Sequence, residues 1–318
     1  MSEEVDILLS PHHLHRIAEG GFIHIDIDGG ITKLSADFKP LGETCNPFPT
    51  SLSTSILSDD KLTGFWIDHE LLTARLAQID ISSQLQPGIS RADLRLALNS
   101  GENDNIHVRG AEWSHAMNAE LMAMAQISEV ICFALWKRGI YGIDLEGTEL
   151  WRQESVTWPE LEGLQRAEEI VSILSEGENF RFWGKGGGWA LISPQDGKIV
   201  GQGILEMPQS VDQVFHNSVG GWLVLSSHSA FHYSTLDGAP SHLEFQGPVN
   251  HANWDDEISS WRITGWRQDA IIGPHPKYEL RSEIGVFVDR DVDGWKVLDN
   301  SGNLSSHMDA DDTVAASD

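Results

Sequence analysis

A short unit recurs along the chain and limits what the chain can fold into. In GIYGIDLEGTELW, residues 139–151, apolar and polar residues alternate, a Glu-Gly turn follows, and a second short run ends on Trp151. Alternation with a period of two is the mark of a strand. The glycine supplies the positive φ that a tight hairpin needs. Relatives of the unit are IDIDGGITKL (25–34), ISPQDGKIV (192–200), STLDGAPSHL (234–243) and LDNSGNLSSH (298–307). Degenerate copies are IDHELLTARL (67–76), which lacks the turn glycine, and HVRGAEW (107–113). Gly29 and Gly147 are 118 residues apart, about three units of roughly 40, and Gly197 and Gly238 are 41 apart.

Most copies carry another strand just upstream, as in ICFALWKRGIYGIDLEG (131–147), FRFWGKGGGWALISPQDG (180–197) and GWLVLSSHSAFHYSTLDG (221–238). With one further strand before each, every unit becomes a four-stranded antiparallel sheet, and radial repetition of such sheets makes a β-propeller. The spacing predicts an all-β fold of seven four-stranded blades, at roughly 4–42, 50–86, 90–119, 120–156, 168–208, 210–247 and 250–307. The last is long, and its SSWRITGWRQDAIIGPHPKYELRS segment is an extra blade in the alternative count of eight. Residues 1–307 form a single propeller domain in this reading. WPELEGLQRAEEIVSIL (158–174), with Leu161, Leu164 and Ala167 three apart, predicts a short helical insert. The acidic segment 308–318 reads as a disordered tail. Blades apolar on both faces are stable only when stacked on neighbours, and the 12 tryptophans suit wide wedges between them.

The YGIDLEGTELW segment resembles the repeat of the PQQ-like β-propellers: a strand, an Asp, a glycine turn and a closing Trp. It is more loosely similar to WD40-like repeats. The resemblance is at superfamily level, extends over most of residues 4–307, and implies the fold. The side-chain bed with which quinone-binding members hold their cofactor has no match here, so PQQ binding is not implied. The single Trp-Asp dipeptide, Trp254-Asp255, lacks the Gly-His partner of a WD repeat.

The formal net charge is −27, from 48 acidic and 21 basic residues. Such a surface repels phosphate backbones and anionic membranes, so neither nucleic acid nor membrane is an expected partner. Cys45 and Cys132 are far apart and make no CxxC, which points to buried free thiols. The N-terminal MSEEVDILLSPHHLH lacks a secretory pattern. No stretch reaches the ~18 apolar residues of a spanning helix, and a cytoplasmic protein is the expectation.

Two constellations could carry chemistry. In VDRDVDGW (288–295), Asp289, Asp291 and Asp293 alternate before Gly294, a pattern that can wrap Ca²⁺. Val297 and Asn300 stand where an EF-hand continues its ligands, and the alternative is an acidic loop between two strands. The second is a basic–aromatic patch. Trp136, Lys137 and Arg138 in LWKRG, and Arg181, Trp183 and Lys185 in FRFWGKG, place scarce cations beside tryptophans. Equivalent turns of adjacent blades share a face, so the six could hold an anionic ligand or an acidic partner segment. The alternative is that the tryptophans pack between blades and the cations balance nearby acids. In FIHIDID, His24, Asp26 and Asp28 share one face of an expected half-exposed strand. HELLT (69–73) begins like HExxH but ends in Thr, and no catalytic residue is assigned.

Three functions are compatible with these features. The leading one is a non-enzymatic binding or scaffold propeller that engages a protein or small ligand through one face or the central funnel. The second is a propeller enzyme, either a quinoprotein-like oxidoreductase or a metal-assisted hydrolase or lyase, with groups converging from several blades. The third is a structural subunit of a larger assembly, marked by an extended apolar patch.

Overall fold

The computed structural model describes residues 10–18, 20–101, 106–274 and 276–309. The expected acidic tail lies almost wholly outside them, as do residues 4–9 of the expected first blade. The chain divides into two compact units, His12–Pro208 and a second made chiefly of residues from Gln209 onward.

The first unit holds four antiparallel sheets. Blade 1 is β1 (Pro11–Arg16), β2 (Phe22–Asp26) and β3 (Ile31–Leu34); blade 2 is β4 (Ser51–Ser58), β5 (Lys61–Asp68), β6 (Thr73–Asp80) and β7 (Ala111–Met117). Helix α1 (Arg91–Asn99) lies between β6 and β7 in the chain. Blade 3 is β8 (Leu121–Ile127), β9 (Val130–Leu135), β10 (Gly139–Ile143) and β11 (Glu149–Gln153). Blade 4 is β12 (Ile170–Glu176), β13 (Asn179–Gly184), β14 (Gly188–Ile192) and β15 (Ile199–Ile204). The second unit holds three more. Blade 5 is β16 (Gln213–Asn217), β17 (Gly221–Ser226), β18 (Ser229–Tyr233) and β19 (Ser241–Glu244). Blade 6 is β20 (Val249–Asp255), β21 (Ser260–Gly265), β22 (Gln268–Ile272) and β23 (Lys277–Leu280). Blade 7 is β24 (Gly285–Asp291), β25 (Gly294–Asp299) and β26 (Leu304–Ser306). The fold is an all-β, seven-bladed propeller, with three strands in the first and last blades among the described residues.

The count of seven stands, but the blades fall differently from the sequence expectation. Residues 90–119 are not a blade: they supply α1 and then β7, the outer strand of blade 2. Ser90 caps the helix by accepting from the Asp93 N–H at 3.1 Å, and Leu94 is fully buried. In compensation, 250–307 folds as two blades. The expected helical insert at 158–174 is a single 3-10 turn, Pro159–Leu161, and from Ile170 onward it is strand. Gly163 and Arg166, at φ +91° and +60°, break the helix that the apolar spacing suggested.

The core lies between blades. On β9, Ile131, Phe133 and Leu135 join a cluster with Phe65 and Leu76 of blade 2. The alternate residues Cys132 and Ala134 join Phe180, Phe182 and Ile192 of blade 4. One strand thus feeds two cores, as period-two geometry requires of a sheet covered on both faces. The outermost strands, such as β15 and β23, are largely exposed. Cys132 is fully buried and Cys45 half-buried, both as free thiols.

The recurrent glycine and tryptophan have a shared cause. Trp113 of β7 donates its indole N–H to Leu145 O at 2.8 Å and lies on Gly147, where a Cβ would come within 2.7 Å of the ring. Trp151 of β11 repeats this one blade later, donating to Pro194 O at 2.7 Å and lying 2.4 Å from a Cβ built on Gly197. Each closing tryptophan therefore fastens the next blade's turn. Glycine is needed there for its positive φ (+80° and +69°) and for its missing side chain.

Candidate functional site

The six patch residues separate. Trp136, Lys137 and Arg138 form the β9–β10 turn, with Lys137 at φ +53°. Lys185 sits in the β13–β14 turn, the equivalent turn of the next blade, its N–H bonded to Glu169 O at 2.8 Å. Arg181 and Trp183, on β13, are buried in the fold. Arg181 ion-pairs with Glu176 across the β12–β13 hairpin and lies 4.2 Å from the Trp189 ring. Arg138 is exposed, and its carbonyl accepts from the Tyr141 hydroxyl at 3.1 Å.

Trp136 and Lys137 do reach an open site. They line a cleft of about 670 Å³ with Met122 of β8 and the segment 155–170 between blades 3 and 4. Trp158 anchors that segment. It is buried, donates its indole N–H to Trp189 O at 3.1 Å, and packs where Gly184 and Gly188 leave room. Leu161 and Ala167 are buried beside it, which leaves Leu164 exposed on the cleft. Arg166 meets Glu169 through two nitrogens, one at 2.9 Å, and its guanidinium lies 5.9 Å from the Trp136 ring centre. The Lys137 ammonium lies 5.3 Å from the same centre. An indole with cations close to its ring attracts them through its negative π-face. Sequence reasoning missed Arg166 and Leu164, because their neighbourhood was read as helix.

The larger cleft, about 1200 Å³, was not anticipated. Its walls come from Asp28, the 41–51 loop, the β5–β6 turn and residues 84–91, which lead into α1 and include its first residue. An ion-pair frame holds it. Asp68, buried, accepts from the N–H groups of Glu70 and Leu71 at 2.9 Å each and pairs with Arg91 at 2.7 Å; Arg91 also pairs with Glu70 at 2.8 Å. The segment around α1 is tied down by buried Arg75, which donates to Ile106 O and Ala74 O at 2.8 Å and to the Thr73 hydroxyl at 3.2 Å. Gly88 completes the loop crossing, its N–H bonded to Asn46 O at 2.9 Å.

Blade 1 departs from the half-exposed strand expected at FIHIDID. All five residues of β2 are buried, His24 and Asp26 included. Burial pushes the His24 imidazole down to about 4. Burial also raises the Asp26 carboxyl, against the lowering effect of N–H groups from Gly30 and Asp28.

The three aspartates of the calcium expectation lie in a hairpin and are hydrogen-bonded within the fold. Asp289, Asp291 and Asp293 belong to the β24–β25 hairpin, where Asp291 pairs with Gly294 across a tight turn. The Asp289 carboxylate accepts from Asn253 at 3.2 Å and from the Arg290 N–H, and that of Asp291 from the Asp293 N–H at 2.7 Å. Among the described residues no group of three or more His, Cys, Asp or Glu could hold a metal ion.

Seven antiparallel blades, with clefts where non-repeat segments lie against them, define a β-propeller that carries sites outside its repeat. No protein-family model and no curated protein sequence matches the chain. Among solved structures it is similar to the β-propeller domain of Cps50 (Swd1) from Myceliophteria thermophila: TM-score 0.61, 11% identity, 93% of this chain and 95% of that one covered. It is similar also to the WD40 β-propeller domain of Doa1, with TM-score 0.62, 12% identity and coverage of 94% and 92%. BamB from Moraxella catarrhalis follows at TM-score 0.55 and 11% identity, with coverage of 94% and 83%. At these identities the likeness shows the fold alone. It bears out the β-propeller fold that the resemblance implied.

Proposed function

We propose that the protein is a binding propeller without catalytic activity of its own, and that it holds a segment of another protein in the Trp136 cleft. The observation that carries this reading is the half-buried Trp136 indole, with Lys137 and Arg166 near its ring and exposed Leu164 lining the same cleft. Trp136 and Leu164 offer an apolar anchor site. Lys137 makes no ion pair among the described residues and is available to a carboxylate. Glu162 and Glu168 also line the cleft, so Lys137 sets a position for one carboxylate within an otherwise apolar segment rather than a general acidic preference. WD40 propellers generally bind other proteins, which supports a protein partner.

Affinity capture with the full chain as bait, quantified by mass spectrometry, tests the reading. The double variant Trp136→Ala/Lys137→Glu is compared with wild type and with Trp266→Ala, which removes another exposed tryptophan. At least one protein retained by wild type and by the control should fall about tenfold or more with the double variant. Retention of every protein by the double variant overturns the reading.

A further inference from the structure

We propose that the larger cleft of the first unit is a second binding site, for a basic peptide segment with apolar side chains beside its Arg or Lys residues. The charged residues lining it are Asp28, Glu43, Asp68 and Glu70 against Lys33 and Arg91. Arg91 is ion-paired, and Lys33 is turned onto a backbone carbonyl. Arg91 bridges Asp68 and Glu70, and Lys33 Nζ donates to Ser83 O at 3.0 Å. Asp28 and Glu43 are exposed on the cleft and make no ion pair among the described residues. With four carboxylates against two cations the cleft is net negative, and Asp28 and Glu43, on two separate chain segments, lie outside the Asp68–Arg91–Glu70 ion pairs.

A second observation is independent of charge. Thr50 forms part of the cleft wall with only 5% of its surface exposed, and its hydroxyl has no hydrogen-bond partner among the described residues. Buried hydroxyls are ordinarily paired, so this one marks a wall position where a polar side chain is left unpaired by the fold. A guanidinium or ammonium group, which only donates, suits carboxylates and an unpaired hydroxyl alike. Apolar residues complete the site: Leu41 and Ile89 line the cleft and are 68% and 42% exposed. An acidic wall beside exposed aliphatics matches a basic, apolar segment by both charge and contact. The site does not depend on the Trp136 cleft, which shares none of these residues.

The test is fluorescence anisotropy with a labelled acetyl-Leu-Arg-Lys-Leu-Arg-amide peptide, in about 150 mM salt so that long-range attraction is screened. Four full-length chains are compared: wild type, Asp28→Asn/Glu43→Gln, Thr50→Val and the control Glu178→Gln/Glu206→Gln. The control removes the same charge from exposed positions outside the cleft. Asp28→Asn/Glu43→Gln should weaken binding about tenfold or more, and the control less than about twofold. Thr50→Val, which keeps the shape and removes the hydroxyl, should weaken binding about threefold with no loss of melting temperature. Absence of binding to wild type, or equal weakening in control and cleft variants, overturns the proposal.

Discussion

The Trp136 cleft and the Thr50 cleft lie in the same unit and are built by opposite means. In the first, a segment anchored by an aromatic side chain, Trp158, lies beside the Trp136 indole of the β9–β10 turn, which has cations close to its ring. In the second, a helix-bearing segment is anchored by a buried cation, Arg75, and framed by an ion pair, leaving carboxylates on the surface. What they share is more instructive. Each forms where chain that does not follow the repeat, 154–169 in one case and 81–110 in the other, lies against blades that do. The repeats supply stiffness, through cores between blades and tryptophans set on glycine turns. The departures from repetition supply chemistry.

The comparison can be broken most forcefully at Trp158. Trp158→Ala removes a fully buried indole and should cost about 3–5 kcal/mol, read by denaturant unfolding. Hydrogen exchange should rise across 154–169 and stay unchanged across 81–110. Loosening of both segments together would show that the clefts are not independent.

Acid should distinguish the clefts next. Blade 1 carries His13 and His24, which burial lowers to about 3 and about 4, whereas blades 3 and 4 contain no histidine. These imidazoles are neutral when folded and take up protons at about 6.5 when unfolded. Their stabilising effect is therefore complete above about pH 6.5 and is lost as pH falls toward the folded values. For His24 this amounts to on the order of 3 kcal/mol between pH 6.5 and 4. Exchange should accelerate in β2 and β3 at pH 5 before it does in β9 and β10, and His24→Leu should flatten the pH dependence of unfolding. Equal acid sensitivity of His24→Leu and wild type would remove His24 from the account.

A smaller effect sharpens the same contrast. Arg75→Met leaves the Ile106 and Ala74 carbonyls without the guanidinium donor and should cost about 2 kcal/mol. It should weaken binding of the basic peptide while leaving the Trp136 cleft intact. An unchanged affinity for that peptide would show that the frame holds without its anchor.

The blades were legible because their cause is local. A strand, a glycine turn and a second strand fit within a dozen residues, and GIDLEGTELW and HVRGAEW expose the closing tryptophans directly. Why those tryptophans recur was not legible, since Trp113 meets Gly147 and Trp151 meets Gly197, partners in the next blade. Helix α1 was readable from Ser90, Asp93 and the Leu94–Ala97–Leu98 spacing, but counting blades at a fixed period absorbed it. Arg181 looked like a patch cation because the hairpin that sets Glu176 against it is a matter of pairing register. The clefts were the least legible. The Thr50 cleft joins segments near residues 28, 45, 69 and 88, and nothing within any one of them signals the others.

The most direct test that the two clefts are independent sites is a crossed titration. A labelled acidic peptide, acetyl-Glu-Leu-Leu-Glu-amide, and its basic counterpart are each titrated with Trp136→Ala/Lys137→Glu and with Asp28→Asn/Glu43→Gln. Each variant should lose only the peptide that its own cleft selects, by about tenfold, and keep the other within about twofold. Loss of both peptides by either variant, or of neither by both, would contradict the account.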